Sequence, residues 1–386
     1  KAASQAVLAS DTPDGRDPLT MIDPSNHTIP FLFIFAARAK QECGRPGAPG
    51  AAILLPQALA FAENFDLQAA HQAPDRIRAF GTAVCNLADR AGSWIAAVKP
   101  LLIATRRLAT PTGDTLTCLH PMLFKVCFLA RTFRPALPIL ERDISEIDAA
   151  RYDLTYQDFL LHHYYGALLY LLAKRFDRAM DFLVLCISTP STVSSAIQIE
   201  AYKRFTLVAL LVHGAVPPLP KYTPSVVVRA VRHYCVPYND FAAAHESGNM
   251  ARVSAELAKH SDLFRGQGLL GLVRQCVESL VRRAIQQLTR TYLTLSLADM
   301  ARSVDLASAG AAERHVLRMI DEGQVYATVS QSDGGMVSFL DAPAFDPAGD
   351  SVAKLEESIT LVMQIGDRMQ KMDRAVSTSK EYVAKM

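Results

Sequence analysis

The chain has 386 residues, half of them hydrophobic, and its 40 basic and 38 acidic side chains give a net charge of +2. This length suits two or three domains of a soluble, nearly neutral protein. The longest apolar runs, residues 31–37 and 207–212, are far shorter than the roughly 18 residues that a membrane span needs, and no charged-then-apolar leader opens the chain, so we expect neither a membrane-bound nor a secreted protein.

Seven cysteines are present, but no two of them form a C-x-x-C pair, and most lie in apolar helical runs. This usage is typical of reduced core residues in an intracellular protein. The sequence therefore predicts neither a disulfide framework nor a zinc site.

Segments 1–30 and 43–50 are predicted to be irregular. From about residue 51 to residue 290, apolar residues recur mainly at helical spacing. Short turns separate the predicted helices, which is typical of stacked antiparallel helix pairs. We therefore predict N-terminal helical repeats over 1–150 and a second set of repeats over 151–290. The predicted helices cover residues 54–64, 75–91, 93–108, 120–132, 156–174, 176–186, 192–211, 223–232, 238–247, 250–257 and 269–290.

The clearest helix pair covers residues 159–190. Gly166 would let two helices approach closely, Tyr170 and Phe176 would fill the hairpin, and Ala179 would pack at the crossing. The pattern resembles a tetratricopeptide repeat, although Gly166 and Ala179 are one residue further apart than that consensus prefers. An ordinary helical hairpin explains the same residues, and both interpretations predict a curved helical scaffold.

Residues 291–345 carry the signals of a small winged-helix module. Ser296 and Asp299 form an S-x-x-D capping box, Ser308 offers a second cap, and Gly323 ends the second helix. After Gly323 the apolar period changes from 3.6 to 2, which predicts strands over 325–330 and 336–340, joined by a turn over 332–335. Two helices followed by a hairpin wing are the predicted result.

Many winged helices bind DNA, but the charges of this module disfavour that use. The helix predicted to follow Ser308 balances Arg314 and Arg318 against three carboxylates, and the wing turn holds Asp333 without a lysine or arginine. Because a phosphate backbone demands clustered cations, we expect the module to contact protein.

Residues 346–386 are predicted to form a loop and a final helix that opens at Ser351. The apolar residues of this helix follow a heptad-like stripe, and charged residues occupy its other faces. We predict that the stripe packs against helices of other chains; the alternative is that it folds back on its own domain. The stripe contains Val352, Leu355, Ile359, Val362, Ile365, Met369 and Met372.

The chain contains few patterns that could support catalysis. The G-x-G-x-x-G at 266–271 lacks the flanking strands and the later acidic residue of a dinucleotide site. His162 and His163 are adjacent, so they point to different faces of a helix, and Asp158 is the only further ligand nearby. Zincin, serine-hydrolase and P-loop motifs are missing. We therefore predict no catalytic, cofactor-binding or metal-binding residues, and a protein that is not an enzyme.

The order of helical repeats, winged helix and terminal helix resembles the PCI-domain family, whose members are subunits of the proteasome lid, the COP9 signalosome and translation initiation factor three. Several phrases are most similar to the subunit 3 branch of that family in the COP9 signalosome. They are FRPALPIL (133–140), LPKYTPSVV (219–227), AKHSDLF (258–264), GLVRQCVESL (271–280), IQQLTRTYLTLSLADMA (285–301) and AERHVLRMIDEGQVYATVSQSDGGMVSF (312–339).

This resemblance implies a non-catalytic scaffold in the complex that removes the ubiquitin-like modifier Nedd8 from cullins of cullin-RING ubiquitin ligases. It implies direct partners among the other PCI subunits and the metalloprotease subunit's module, an indirect link to cullin-RING ligases, and a location in cytoplasm and nucleus. Membership of the proteasome lid or of initiation factor three, and nucleic-acid binding, stay as alternatives.

In PCI complexes the winged-helix sheets associate edge to edge and the terminal helices gather into a bundle. The strand 325–330 or the strand 336–340 would supply the edge here, and the terminal stripe would supply the seam. The predicted interface residues are Val325, Tyr326, Ala327, Val329, Val337, Phe339, Leu355, Ile359, Val362 and Met369.

Overall fold

Helices make up most of the regular structure in the computed structural model, which describes residues 7–12, 16–44, 50–110, 113–306, 308–330, 335–340, 350–379, 382 and 384. The contacts between residues divide the chain into two compact units, Lys1–Leu280 and Val281–Met386. The mostly α prediction is confirmed. The predicted domain boundaries near residues 150, 290 and 345 stay predictions.

The first unit contains the helical repeats. Its helices are α1 (Pro18–Met21), α2 (Thr28–Gly44), α3 (Gly50–Asn64), α4 (Leu67–Gln72), α5 (Pro74–Arg90), α6 (Ile95–Leu108), α7 (Leu119–Leu129), α8 (Leu137–Leu140), α9 (Ala149–Tyr152), α10 (Tyr156–Leu172), α11 (Phe176–Ser188), α12 (Ala196–Val212), α13 (Ser225–Tyr234), α14 (Val236–Glu246), α15 (Met250–Gly266) and α16 (Leu270–Thr291), the last of which continues into the second unit.

Successive helices stack along this unit, with α10 packed against α11, α11 against α12, and α14 against α15. One hydrophobic core runs through the stack from Leu19 to Cys276. Each helix buries one face against its neighbours, as expected for repeats that cannot bury that face alone. The predicted solenoid is therefore present.

The helix pair α10 and α11 shows why glycine stands at position 166. A Cβ placed there would lie 2.8 Å from the Phe182 ring, which is closer than real Cβ atoms approach a neighbour. Tyr170 is fully buried, packs edge-on against Phe182 at 5.1 Å, and donates its hydroxyl to the carbonyl of Leu140 at 2.8 Å. Ala179 is also fully buried. The close crossing predicted for this hairpin is confirmed.

Helix α2 was not predicted, because the apolar run over 31–37 shows no clear helical period. Phe31, Leu32 and Phe35 are all buried, and Ala37 and Ala39 are buried beside them. A helix buried on several sides carries little amphipathic signal, so its period is hard to recognise. Helix α15 also extends to Gly266, nine residues beyond the predicted end, through a mostly polar stretch.

The second unit contains the winged-helix module, followed by a long helix. Strand β1 (Thr294–Ser296) precedes α17 (Leu297–Ser303) and α18 (Ala309–Asp321); strands β2 (Ala327–Ser330) and β3 (Met336–Phe339) follow, and α19 (Asp350–Ser377) comes last. The strands form one antiparallel sheet in the order β1-β3-β2. The predicted helix-helix-hairpin is confirmed, whereas β1 was not predicted. Residues 331–334, which hold most of the predicted wing turn, lie outside the described residues.

Local signals fix the ends of the module's helices. Ser296 accepts the amide of Asp299 at 3.0 Å, and its hydroxyl donates to the Asp299 carboxylate at 2.7 Å. Ser308 accepts the amide of Ala311 at 3.2 Å, and Gly323 takes the left-handed conformation with φ +66° just after α18. These caps occur where the sequence placed them. Within the part of the chain that the structure describes, no helix combines the length and apolar character that crossing a membrane requires.

Candidate assembly surfaces

The outer side of β2 is an open sheet edge. The amide of Leu340 donates to the carbonyl of Tyr326 at 2.8 Å, so the backbone of Tyr326 faces β3. Backbone direction alternates along an antiparallel strand, so Thr328 also faces β3, while the N–H and C=O groups of Ala327 and Val329 point away from it. No described strand pairs with these groups. We call them the β2 edge.

Strand β3 cannot provide an edge, which corrects one of the two predicted possibilities. It pairs with β1 through residues such as Val337, opposite Leu295, and with β2 through the same residue, opposite Val329. The predicted contact residue Val337 is fully buried, so its side chain belongs to the module's own core. The sequence could not show this, because the position of β3 depends on the unpredicted strand β1.

The remaining predicted residues of the sheet differ in exposure. Val325 is buried, whereas Ala327, Val329 and Phe339 are half-buried. Tyr326 is exposed and could contact a partner through its ring. The β2 edge would therefore bind mainly through backbone groups, with Tyr326 beside them.

A second open edge, which was not predicted from the sequence, lies at β1. The amide of Phe339 donates to the carbonyl of Leu293 at 2.8 Å, so by the same alternation Thr294 and Ser296 direct their backbone groups away from β3. At the end of the sheet beside this edge, Leu293 is 83 % exposed and Leu340 is 57 % exposed. The available signal was the pair of large apolar residues that flank the strands, Leu293 and Leu340.

Helix α19 leaves its apolar stripe open to solvent. Over its 28 residues no described side chain is buried. Leu355, Ile359, Val362 and Met369 are 61, 52, 68 and 67 % exposed. Monomeric proteins seldom expose a continuous apolar patch along a whole helix. The described residues thus do not show the alternative in which the helix folds back on its own domain. We call the predicted set Val352, Leu355, Ile359, Val362, Ile365, Met369 and Met372 the α19 stripe.

Two arginines, one on the winged module and one on α16, lie next to the same carboxylate. Arg318 lies on α18 and its Nε is 3.1 Å from the Glu322 carboxylate, which also lies 3.3 Å from an Nη of Arg282. Leu317, next to Arg318 on α18, is 46 % exposed. A surface of this kind offers little free positive charge to a phosphate backbone.

His162 and His163 lie in a buried ring cluster, where they could not act on a substrate. Together with His120 they form what we call the histidine cluster. The ring centroid of His162 lies 5.8 Å from that of His120 and 4.9 Å from that of His163. Burial lowers the pKa of His120 and His163 to about 4, and it also lowers the pKa of His162 well below its usual value. Asp158 does not contact His162; it accepts from Arg78 at 2.7 Å.

The thiols and the glycine motif show no features of a reactive site. Burial raises the pKa of Cys85 to about 11 and that of Cys118, Cys127 and Cys186 to about 12, so these thiols stay protonated and weakly nucleophilic. The G-x-G-x-x-G segment joins α15 to α16, with a helix where a dinucleotide site has a strand.

One group of possible metal ligands was not found from the sequence. Within the described residues, donor atoms of Asp240, Glu256 and His260 lie within 4.8 Å of one another between α14 and α15. Glu256, however, is 3.3 Å from the Lys259 ammonium and 3.6 Å from His260 Nε2. The group is partly solvated and already forms ion pairs, so we assign it no metal.

Comparison with known proteins covers nearly the whole chain. Residues 2–227 match the family model described as "COP9 signalosome complex subunit 3, N-terminal helical repeats", and residues 257–339 match the PCI domain. The chain is 29 % identical over 371 residues to the COP9 signalosome complex subunit 3 of Dictyostelium discoideum, covering 95 % of this chain and 87 % of the relative. It is 31 % identical over 369 residues to that of Arabidopsis thaliana, covering 95 % and 83 %.

Proposed function

The chain belongs to the COP9 signalosome subunit 3 family, and from this premise we propose that it is a non-catalytic scaffold subunit of the COP9 signalosome. The observation that carries the proposal is the α19 stripe, which stays exposed along the helix. A helix of this kind is stabilised when partner helices cover its apolar face. The chain would then act by positioning other subunits.

Two surfaces would mediate assembly with other subunits. The α19 stripe would enter a bundle with the terminal helices of other PCI subunits and of the metalloprotease subunit's module. The β2 edge would extend the sheet of a neighbouring winged-helix module through backbone hydrogen bonds, with Ala327 and Val329 as donors and acceptors. Backbone pairing fixes direction and register, while apolar burial provides most of the binding free energy.

The chemistry of the complex would belong to another subunit. In this proposal the complex removes Nedd8 from cullins, and the isopeptidase is its metalloprotease subunit. The buried histidine cluster and the protonated thiols support a chain without its own catalytic site. We also propose that the protein occurs in both cytoplasm and nucleus, and a fluorescent fusion confined to another compartment would contradict this.

Native mass spectrometry of the tagged chain, recovered from its own cells, tests the proposal. We expect it to be recovered with other PCI subunits and with an isopeptidase that removes Nedd8 from cullins. Recovery with proteasome ATPases or with ribosomal initiation complexes would instead support the lid or initiation factor three. Recovery of the chain alone would refute the scaffold function.

Nucleic-acid binding is the remaining alternative, and a titration with duplex DNA distinguishes it from the scaffold function. A DNA-binding winged helix loses affinity steeply with salt, because phosphate contacts release counterions. With Arg318 and Arg282 both next to Glu322, we expect no measurable binding to duplex DNA even at low salt. Saturable binding would reverse that assignment.

A further inference from the structure

A cavity of about 560 Å³ in the first unit is lined by several cationic side chains. It lies where the end of α6, the segment before α7 and the region of α8 meet. Its walls include Arg106, Arg107 and Arg142, together with the buried ring of His120. The volume falls within the usual range for small-molecule sites.

One of the three arginines is held in place by the fold, and a second lies against a glycine. Arg107 lies over the Phe65 ring, 4.7 Å from its centroid, and donates to the carbonyls of Glu63 and Phe65. Arg142 occupies space left by Gly113, because a Cβ on that residue would overlap an Nη of Arg142. Gly113 also has φ +69°, which favours glycine. Arg106, at the end of α6, and Arg142 are both exposed.

His120 adds a neutral hydrogen-bond donor to the wall. Its Nδ1 accepts the backbone amide of Thr117 at 3.0 Å, so the proton of the neutral ring resides on Nε2. The side chain is 1 % exposed, and among the described residues no acceptor is found for that Nε2 proton. The ring therefore retains one donor.

Acidic side chains do not neutralise this wall in the part of the chain that the structure describes. None of the lining residues there is an aspartate or glutamate, and no ion pair involves Arg106, Arg107 or Arg142. Asp114 lies in the segment before α7, but its carboxylate accepts the hydroxyls of Thr110 and Ser145, both at 3.1 Å. The cavity thus concentrates positive charge without an internal counterion.

We propose that this cavity binds a small, multiply charged phosphoryl anion. Planar guanidinium groups match phosphate oxygens in geometry and form charge-assisted hydrogen bonds with them. Three such groups suit more than one phosphoryl unit, and the neutral His120 would donate to a further oxygen. This inference is independent of assembly through α19, because it concerns a different unit of the chain.

Calorimetric titration of the full-length chain with inorganic triphosphate, at low salt and neutral pH, tests the inference. We expect one saturable site, with Arg142→Gln weakening binding about tenfold and Arg106→Gln/Arg142→Gln about a hundredfold, since each guanidinium provides charged hydrogen bonds. Gly113→Ala should also weaken binding, because its Cβ displaces Arg142 while the net charge stays constant.

Arg229→Gln is the matched control, because Arg229 is an exposed arginine on α13 that does not line the cavity. It changes the net charge as Arg142→Gln does, and we expect it to leave triphosphate binding unchanged. Equal weakening by both variants would show a general charge effect and overturn the site, as would the absence of binding by the unaltered chain at about 1 mM ligand. Thermal melting of each variant confirms that folding is retained.

Discussion

Charge introduced into the α19 stripe should release the chain from its complex without unfolding it. Val362 and Met369 are 68 and 67 % exposed in the isolated chain. Full burial of such a side chain is worth about 1.5–3 kcal/mol, so each has roughly 1–2 kcal/mol left to contribute when a partner covers it. Val362→Asp/Met369→Asp would therefore cost about 2–4 kcal/mol of assembly, or roughly 30- to 700-fold, before the desolvation of two carboxylates is added.

The assay is recovery of partner subunits by the tagged variant, measured by native mass spectrometry. Thr360→Asp/Gln364→Asp is the matched control, since it adds the same two charges near Val362 but on the opposite face of α19. We expect partners with the control and none with Val362→Asp/Met369→Asp, while circular dichroism stays unchanged for both. Full assembly of Val362→Asp/Met369→Asp would show that α19 lies outside the bundle and would refute this reasoning.

Three further predictions concern the β2 edge, the helix pair and acid stability. Val329→Pro removes an amide of the β2 edge that points outward, so it should weaken assembly while the wing stays folded. Thr328→Pro removes an amide directed at β3 and should unfold the wing, which circular dichroism would detect. The same behaviour of both variants would contradict the deduced register. Gly166→Ala forces a Cβ against Phe182 and should lower the free energy of unfolding of the first unit by about 1–3 kcal/mol in urea, and an unchanged midpoint would mean that the crossing relaxes freely. The histidine cluster is neutral in the folded protein, whereas free histidines protonate near pH 6.5, so the free energy of unfolding should fall as the pH drops below about 6.5. His120, with a pKa of about 4, accounts for about 2 kcal/mol of that loss by pH 5. A melting temperature that does not change with pH would refute the burial of His120.

Sequence alone identified the features that depend on neighbouring residues. The caps at Ser296 and Ser308, the helix end at Gly323 and the α19 stripe are all fixed by spacings of a few residues. Backbone geometry sets those spacings, with 3.6 residues per helical turn and two per strand repeat, so the pattern is visible before folding. The resemblance to PCI proteins then added the function that periodicity could not provide.

Tertiary structure decided the features that join distant parts of the chain. Strand β1 is only three residues long, and its pairing places β3 in the centre of the sheet and buries Val337. The arginine cavity brings α6 together with Arg142, and the histidine cluster brings His120 to His162. None of these contacts has a local signal, because which segments meet is set by the packing free energy of the whole unit and not by the backbone period of any one segment.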